Sequence, residues 1–224
     1  MDLGISWILF VANWVAALDG AQGAVTMPPA PVLPLVAFGG LLLGLWRGRL
    51  RLLGVPVLIG GAMIWHFSPR PAVLVAPNGG IVGVLTAEGR ALSRAKGHGY
   101  AAERWTENDG RLQTQEEGAE LWPLIAGSEA PGKSVTAYLA ATDQRLTHVI
   151  GKAAAEAMTE CTAGEVIISA KSVAPIGDCL VFDADALNRL GSLQMDAQGR
   201  WISVQDVVGT RLWSRDPATS RSSP

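Results

Sequence analysis

Three apolar runs open the chain, and a different periodicity follows them. Residues 28–46 (PPAPVLPLVAFGGLLLGLW) and 52–67 (LLGVPVLIGGAMIWHF) are apolar on every side of a helix. That pattern predicts a transmembrane helical hairpin over 28–69, since a span needs about 20 apolar residues and fewer where its ends snorkel. A buried hairpin inside a soluble fold is the alternative, and soluble helices this apolar all round are rare. The first run is amphipathic. Leu3, Trp7, Phe10, Trp14 and Leu18 share one helical face, and Asp2, Ser6 and Asn13 another. Residues 1–27 therefore predict a helix lying in the membrane interface, or packed against neighbours, with a third span left open. Pro28, Pro29, Pro31 and Pro34 then redirect the chain into the hairpin.

After Pro71 the pattern shortens to strands. AVLVAPNGGIVGVLT predicts two strands around the turn Pro77-Asn78-Gly79-Gly80, and RALSR a third. GHGYAAERWTENDG predicts a helix ended by Asp109-Gly110, and residues 111–132 a polar loop with little structure of its own. SVTAYLA, RLTHVI, EVIIS and CLVFD predict further strands. GKAAAEAMTE and ADALNRL predict helices, and SLQMD with RWISV a last hairpin around Gln198-Gly199. Strands alternating with helices on this scale predict an α/β or α+β domain with a mixed sheet over 70–214. The Ser-, Thr- and Pro-rich residues 215–224 predict a disordered tail.

Charge sharpens the division. No charged residue falls between Gly20 and Trp46 or between Leu52 and Pro69, while the stretch from Arg70 holds 15 of the 18 Lys and Arg and 18 of the 20 Asp and Glu. The domain is thus slightly acidic, which argues against a broad nucleic-acid face but leaves room for a local one. Between the apolar runs lies RGRLR. Arg47, Arg49 and Arg51 set the orientation, because short basic loops stay cytoplasmic, and the domain then lies on the far side of the membrane. No Lys or Arg precedes the first apolar run, so the N-terminus reads as the interior of a longer protein rather than a signal peptide. Cys161 and Cys179 each stand before a predicted strand. If those strands are parallel neighbours, both sulfurs lie at one end of the sheet, and an oxidising compartment favours a disulfide over two free thiols.

Several runs together resemble the C-terminal part of the ComEC-type competence family, bacterial inner-membrane DNA-uptake channels, in its alphaproteobacterial form. They are VANWVAALDGAQGAVTMPPAP, VLVAPNGGIVGVLTAEGRALSRAKGHGYAAERWTENDG, the Cys161 segment with EVIIS, and CLVFDADALNRLGSLQMDAQGRWISV ending in RLW. The resemblance spans nearly the whole chain and rests on accumulated text rather than on a catalytic signature. It implies an inner-membrane protein with a periplasmic C-terminal domain resembling a metallo-β-lactamase fold, with membrane lipid, the remaining channel domain and single-stranded DNA as partners. Many relatives carry an H-x-H-x-D-H metal motif there. Here the histidines are His66, His98 and His148, with no H-x-H pair, and Ala170-Lys171-Ser172 follows EVIIS where relatives place a histidine-rich turn. The expectation is a degenerate form of the fold with no metal, no cofactor and no catalytic residue.

Arg94, Lys96, His98 and Arg104, with Tyr100 and Trp105, are the candidate single-stranded DNA contacts, since cations and aromatic rings hold backbone and bases. A solvated loop entering a helix whose Trp105 is core is the plainer reading. Gly132-Lys133-Ser134 lacks the glycine a phosphate-binding loop needs, and Ser169, Lys171 and Ser172 lack the surroundings of a Ser-Lys nucleophile pair. The functional expectation is a non-catalytic, membrane-anchored part of a DNA-uptake protein. A diverged hydrolase and a stand-alone structural domain are the alternatives.

Overall fold

The computed structural model describes residues 2–18, 23–123, 134–139, 142–174 and 176–209. Within them α1 runs over Asp2–Ala16, α2 over Val32–Leu45 and α3 over Gly54–His66, with a 3₁₀ turn over Arg49–Leu53 between the last two. Pro34 and Pro56 sit in the first turns of α2 and α3, where no intrahelical N–H is required of them. Gly48, at φ +88°, makes the left-handed step out of α2.

The hairpin is shorter than its sequence predicts. Its helices are 14 and 13 residues long, about 20 Å each at 1.5 Å per residue, against a hydrocarbon core of about 30 Å. No helix among the described residues is long and apolar enough to cross a membrane. The proline-rich approach stays outside α2, and Trp46 is already extended, so the ends of both apolar runs go into turns. The first segment also differs from expectation. α1 stops at Ala16, and from Gly23 to Pro29 the chain forms no helix and makes an isolated bridge between Thr26 and Asp109.

Among the described residues, nine strands form two sheets where one mixed sheet was expected. The first has the order β3-β2-β1-β8-β9, from β1 (Val73–Val75), β2 (Val82–Leu85), β3 (Arg90–Leu92), β8 (Leu193–Met195) and β9 (Trp201–Ser203). All its pairs are antiparallel. The second has the order β4-β5-β6-β7, from β4 (Ser134–Leu139), β5 (Gln144–Val149), β6 (Val166–Ser169) and β7 (Leu180–Phe182). Here β4 pairs antiparallel with β5, and β5, β6 and β7 run parallel.

Strand alternation puts the two sheets face to face. Val73, Val75, Val84, Leu193 and Met195 of one pack with Ala137, Leu146, Val166, Ile168 and Phe182 of the other. The outer faces take helices. Ala101, Ala102 and Trp105 of α4 (Gly99–Asn108) pack with Ile81 and Leu92, and Ala155 of α6 (Lys152–Ala157) packs with Val149 and Ile167. α7 (Ala184–Leu190) adds Leu187 to the inner core. The layering is helix, sheet, sheet, helix.

Two short helices stand where none was expected. α5 covers Gln115–Glu120 inside the segment read as a loop, started by a capping box in which Thr114 and Glu117 satisfy each other's backbone N–H. α8 (Val204–Val208) begins with the same device, Ser203 with Asp206. Residues 124–133, including Gly132-Lys133, and the tail from 210, including RLW, lie outside the described residues.

Candidate functional site

The hairpin is built inside out. Gly39 of α2 and Gly54 of α3 meet so closely that a Cβ on Gly54 would lie 2.5 Å from the Gly39 carbonyl oxygen, and a Cβ on Gly61 would touch Leu35 and Val36. The residues buried within the two helices are Val32, Gly39, Gly54 and Gly61. The large side chains point away: Leu33, Phe38, Leu41, Leu45, Ile59 and Met63 are all more than half exposed. Small residues at the contact and large apolar ones outside is the arrangement of helices that pack in lipid, where backbone proximity and not apolar burial drives association. α1 is similar, with every side chain from Gly4 to Leu18 exposed.

The root of the hairpin is fixed to the domain by polar contacts. Arg90 and Asp109, 1% and 6% exposed, form a two-pronged pair, Nε to Oδ2 at 2.6 Å and Nη2 to Oδ1 at 3.0 Å. Arg90 Nη1 also donates to the Pro71 carbonyl, and Arg70 Nη1 to the Asp109 carbonyl. The backbone around Asp109 meets Thr26, Met27 N–H donates to the Asn108 carbonyl, and Trp65 Nε1 donates to the Thr26 carbonyl at 2.9 Å. Gly110, at φ +73°, admits this approach, since a Cβ there would lie 2.7 Å from the Thr26 nitrogen. A cleft of about 1110 Å³ opens beside the knot, between Pro28, Trp65 and Arg70 on one side and Leu74, Trp105 and Val207 on the other.

At one end of the sandwich, histidines and glycines crowd together. His148, fully buried on β5, donates from Nε2 to the Gly79 carbonyl at 2.8 Å and so ties the second sheet to the turn after β1. Burial pushes its pKa down to about 4. The bond to Gly79 pulls the other way, and the charges of Arg94 and His98 add to the lowering. Its Nδ1 is buried and has no hydrogen-bond partner among the described residues. Gly80 lies under the His98 ring, where a Cβ would come within 2.2 Å of Nε2. His98 itself is left-handed, at φ 57°, ahead of α4.

The candidate DNA contacts are largely engaged within the protein. Arg94 donates to the Gly80 carbonyl at 3.3 Å, Lys96 lies 3.6 Å from Glu116, and Arg104 pairs with Glu107 at 2.7 Å while its guanidinium sits 5.4 Å above the Tyr100 ring. Gln115 of α5 holds the same loop through the Arg94 and Gly97 carbonyls. Trp105 packs on the sheet. Arg47, Arg49 and Arg51 are exposed at the hairpin tip. Ser169 Oγ accepts from the Lys171 backbone and Ser172 donates to Asp185, so no side-chain Ser-Lys pair is formed by these bonds.

No protein-family model matches the chain, nor does any curated protein or solved structure. A metal of the kind held by an H-x-H-x-D-H motif needs several His and Asp side chains converging on one point. Among the described residues no three His, Cys, Asp or Glu side chains converge as a metal would require, and His148 already spends Nε2 on a carbonyl. These residues do not fit the group. Cys161 and Cys179 are joined by a disulfide, their Cα atoms 6.4 Å apart, ahead of the parallel neighbours β6 and β7. The Arg90–Asp109 ion pair went unread in sequence because neither partner stands in a motif, and only the fold brings them together.

Proposed function

We propose that this chain is the membrane-embedded C-terminal portion of a ComEC-type DNA-uptake protein, non-catalytic in itself, with its domain on the periplasmic side of a bacterial inner membrane. The observation that carries the reading is the inside-out hairpin. Gly39, Gly54 and Gly61 pack inward while Leu33, Phe38, Leu41, Leu45 and Ile59 face outward, as they would against lipid or the helices of a channel domain. Helices of about 20 Å suit a hairpin lodged among longer channel helices, or in a bilayer thinned around it. The knot at Arg90 and Asp109 supports a domain set firmly at the channel mouth. Layering of helix, sheet, sheet and helix supports a degenerate metallo-β-lactamase-like domain, and the disulfide suits an oxidising compartment. The Arg94–Arg104 segment is the place where a passing single strand would be guided, by exchanging its internal pairs for phosphates.

The test uses the unaltered host and a strain deleted for the coding region, with one readout in each. Alkaline extraction of membranes should leave the native protein in the pellet, and release into the supernatant would sink the anchored reading. In the deletion strain, fluorescent DNA should still gather at the periplasm but fail to yield transformants. An unchanged transformation frequency would remove the role in uptake.

A further inference from the structure

The hairpin tip has a composition unlike the rest of the molecule. From Trp46 to Leu53 the chain reads WRGRLRLL. Arg47, Arg49 and Arg51 are all exposed, and among the described residues none is ion-paired or donates a side-chain hydrogen bond. Leu50, Leu52 and Leu53 are more than half exposed beside them, as is Trp46. Gly48 and the 3₁₀ turn over Arg49–Leu53 fold these residues into one short cap that carries three cations and three leucines. The cap follows directly on exposed Leu45 at the end of α2 and precedes exposed Val55 of α3.

We infer that this tip is a docking site for the phosphate groups of anionic phospholipids, with the leucines and Trp46 set among the upper acyl chains. The inference deepens the membrane reading and rests on it. Guanidinium groups pair with phosphate through two parallel N–H bonds, and an exposed trio with no internal carboxylate is free to do so. A cationic turn made only for a nucleic acid has no use for three exposed leucines, whereas at a bilayer surface the leucines add apolar burial and the tryptophan suits the headgroup level. The second tryptophan of the hairpin, Trp65, lies at the other end of α3, near its root. Each basic residue close to an anionic surface contributes about 1 kcal/mol, roughly fivefold in partition, so three contribute on the order of 100-fold at low salt.

The experiment is flotation of the full chain, diluted from mild detergent, with vesicles of phosphatidylcholine alone or with about a third of phosphatidylglycerol. The wild type should prefer the anionic vesicles by 10- to 100-fold at low salt, less as salt screens the arginines. The triple variant R47Q/R49Q/R51Q should lose the preference yet still float, and R47K/R49K/R51K should keep most of it. Circular dichroism confirms that the variants remain folded, as exposed positions permit. Equal partition of the wild type, or an undiminished preference in the glutamine variant, overturns the lipid site and leaves the anchor standing. Displacement from anionic vesicles by a single-stranded oligonucleotide, bound with higher affinity, overturns it in favour of nucleic acid. Failure to float with either vesicle overturns the membrane reading itself.

Discussion

Arg90 and Asp109 are removed from water almost completely, and each satisfies the other through two bonds. Removing one partner strands a buried charge, so R90A or D109A should cost about 3–5 kcal/mol, while the paired apolar replacement R90M/D109L should cost less than either single change. Denaturant midpoints in mild detergent measure both. His148 makes the opposite statement about charge, because it is held neutral. Its folded pKa is about 4 against an ordinary 6.5, so below pH 6.5 the unfolded chain takes up a proton that the fold refuses. Stability from this group is intact above pH 6.5 and falls by about 3 kcal/mol as the pH drops from 6.5 to 4. In that window the H148L variant should show a flatter dependence than the wild type, at a lower starting stability because the tie to Gly79 is gone. Equal slopes would show that His148 is not the group concerned. The sequence places His148 in the predicted strand RLTHVI, but nothing in it could say that the Gly79 carbonyl, 69 positions away, accepts its hydrogen bond.

Among the elements, the hairpin depends on its glycines unequally. A Cβ at Gly54 meets the Gly39 carbonyl and Leu43, whereas Gly60 faces open space. Gly54→Val should therefore part α2 from α3 and lower the thermal midpoint of helical ellipticity in micelles by several degrees, while Gly60→Ala should leave it unchanged. Equal behaviour of the two would contradict the close packing. Most strands and the longer helices were legible, because alternation and capping are local signals. What failed was length and partnership. Apolar runs of the right size for spanning lost their ends to prolines and to an extended Trp46, which hydropathy does not register. α5 has no apolar stripe and buries only Gly118, so its one sequence signal was the Thr114–Glu117 capping box. Alternation told which face of each strand was apolar, but the pairing of β8 with β1, across more than a hundred residues, decided that there are two sheets.

In the molecule as a whole, the disulfide closes a loop of 18 positions between the approaches to β6 and β7. A loop of that size lowers the entropy of the unfolded chain enough to contribute about 3 kcal/mol. Unfolding in the presence of dithiothreitol should show a loss of that order, and C161S/C179S should match it without reductant. An unchanged midpoint would mean that the second sheet holds β7 in place unaided. The cysteines were legible as a pair from their positions before two strands. By contrast, the candidate DNA contacts were legible only as residue types: Glu107 pairs with Arg104 one turn along a helix that was legible, but Glu116, which meets Lys96, comes from α5, whose placement the sequence did not disclose.

The contacts of Thr26, Met27, Trp65 and Arg70 with the backbone around Asp109 give the molecule the mechanics of a cantilever. A domain hung on a slack tether would swing and dissipate any pull upon it. Here the chain enters and leaves the hairpin through the same clamp, so a load on the outer domain is delivered as torque to the root of α2 and α3. Domain and hairpin would then turn together, as one lever about that clamp.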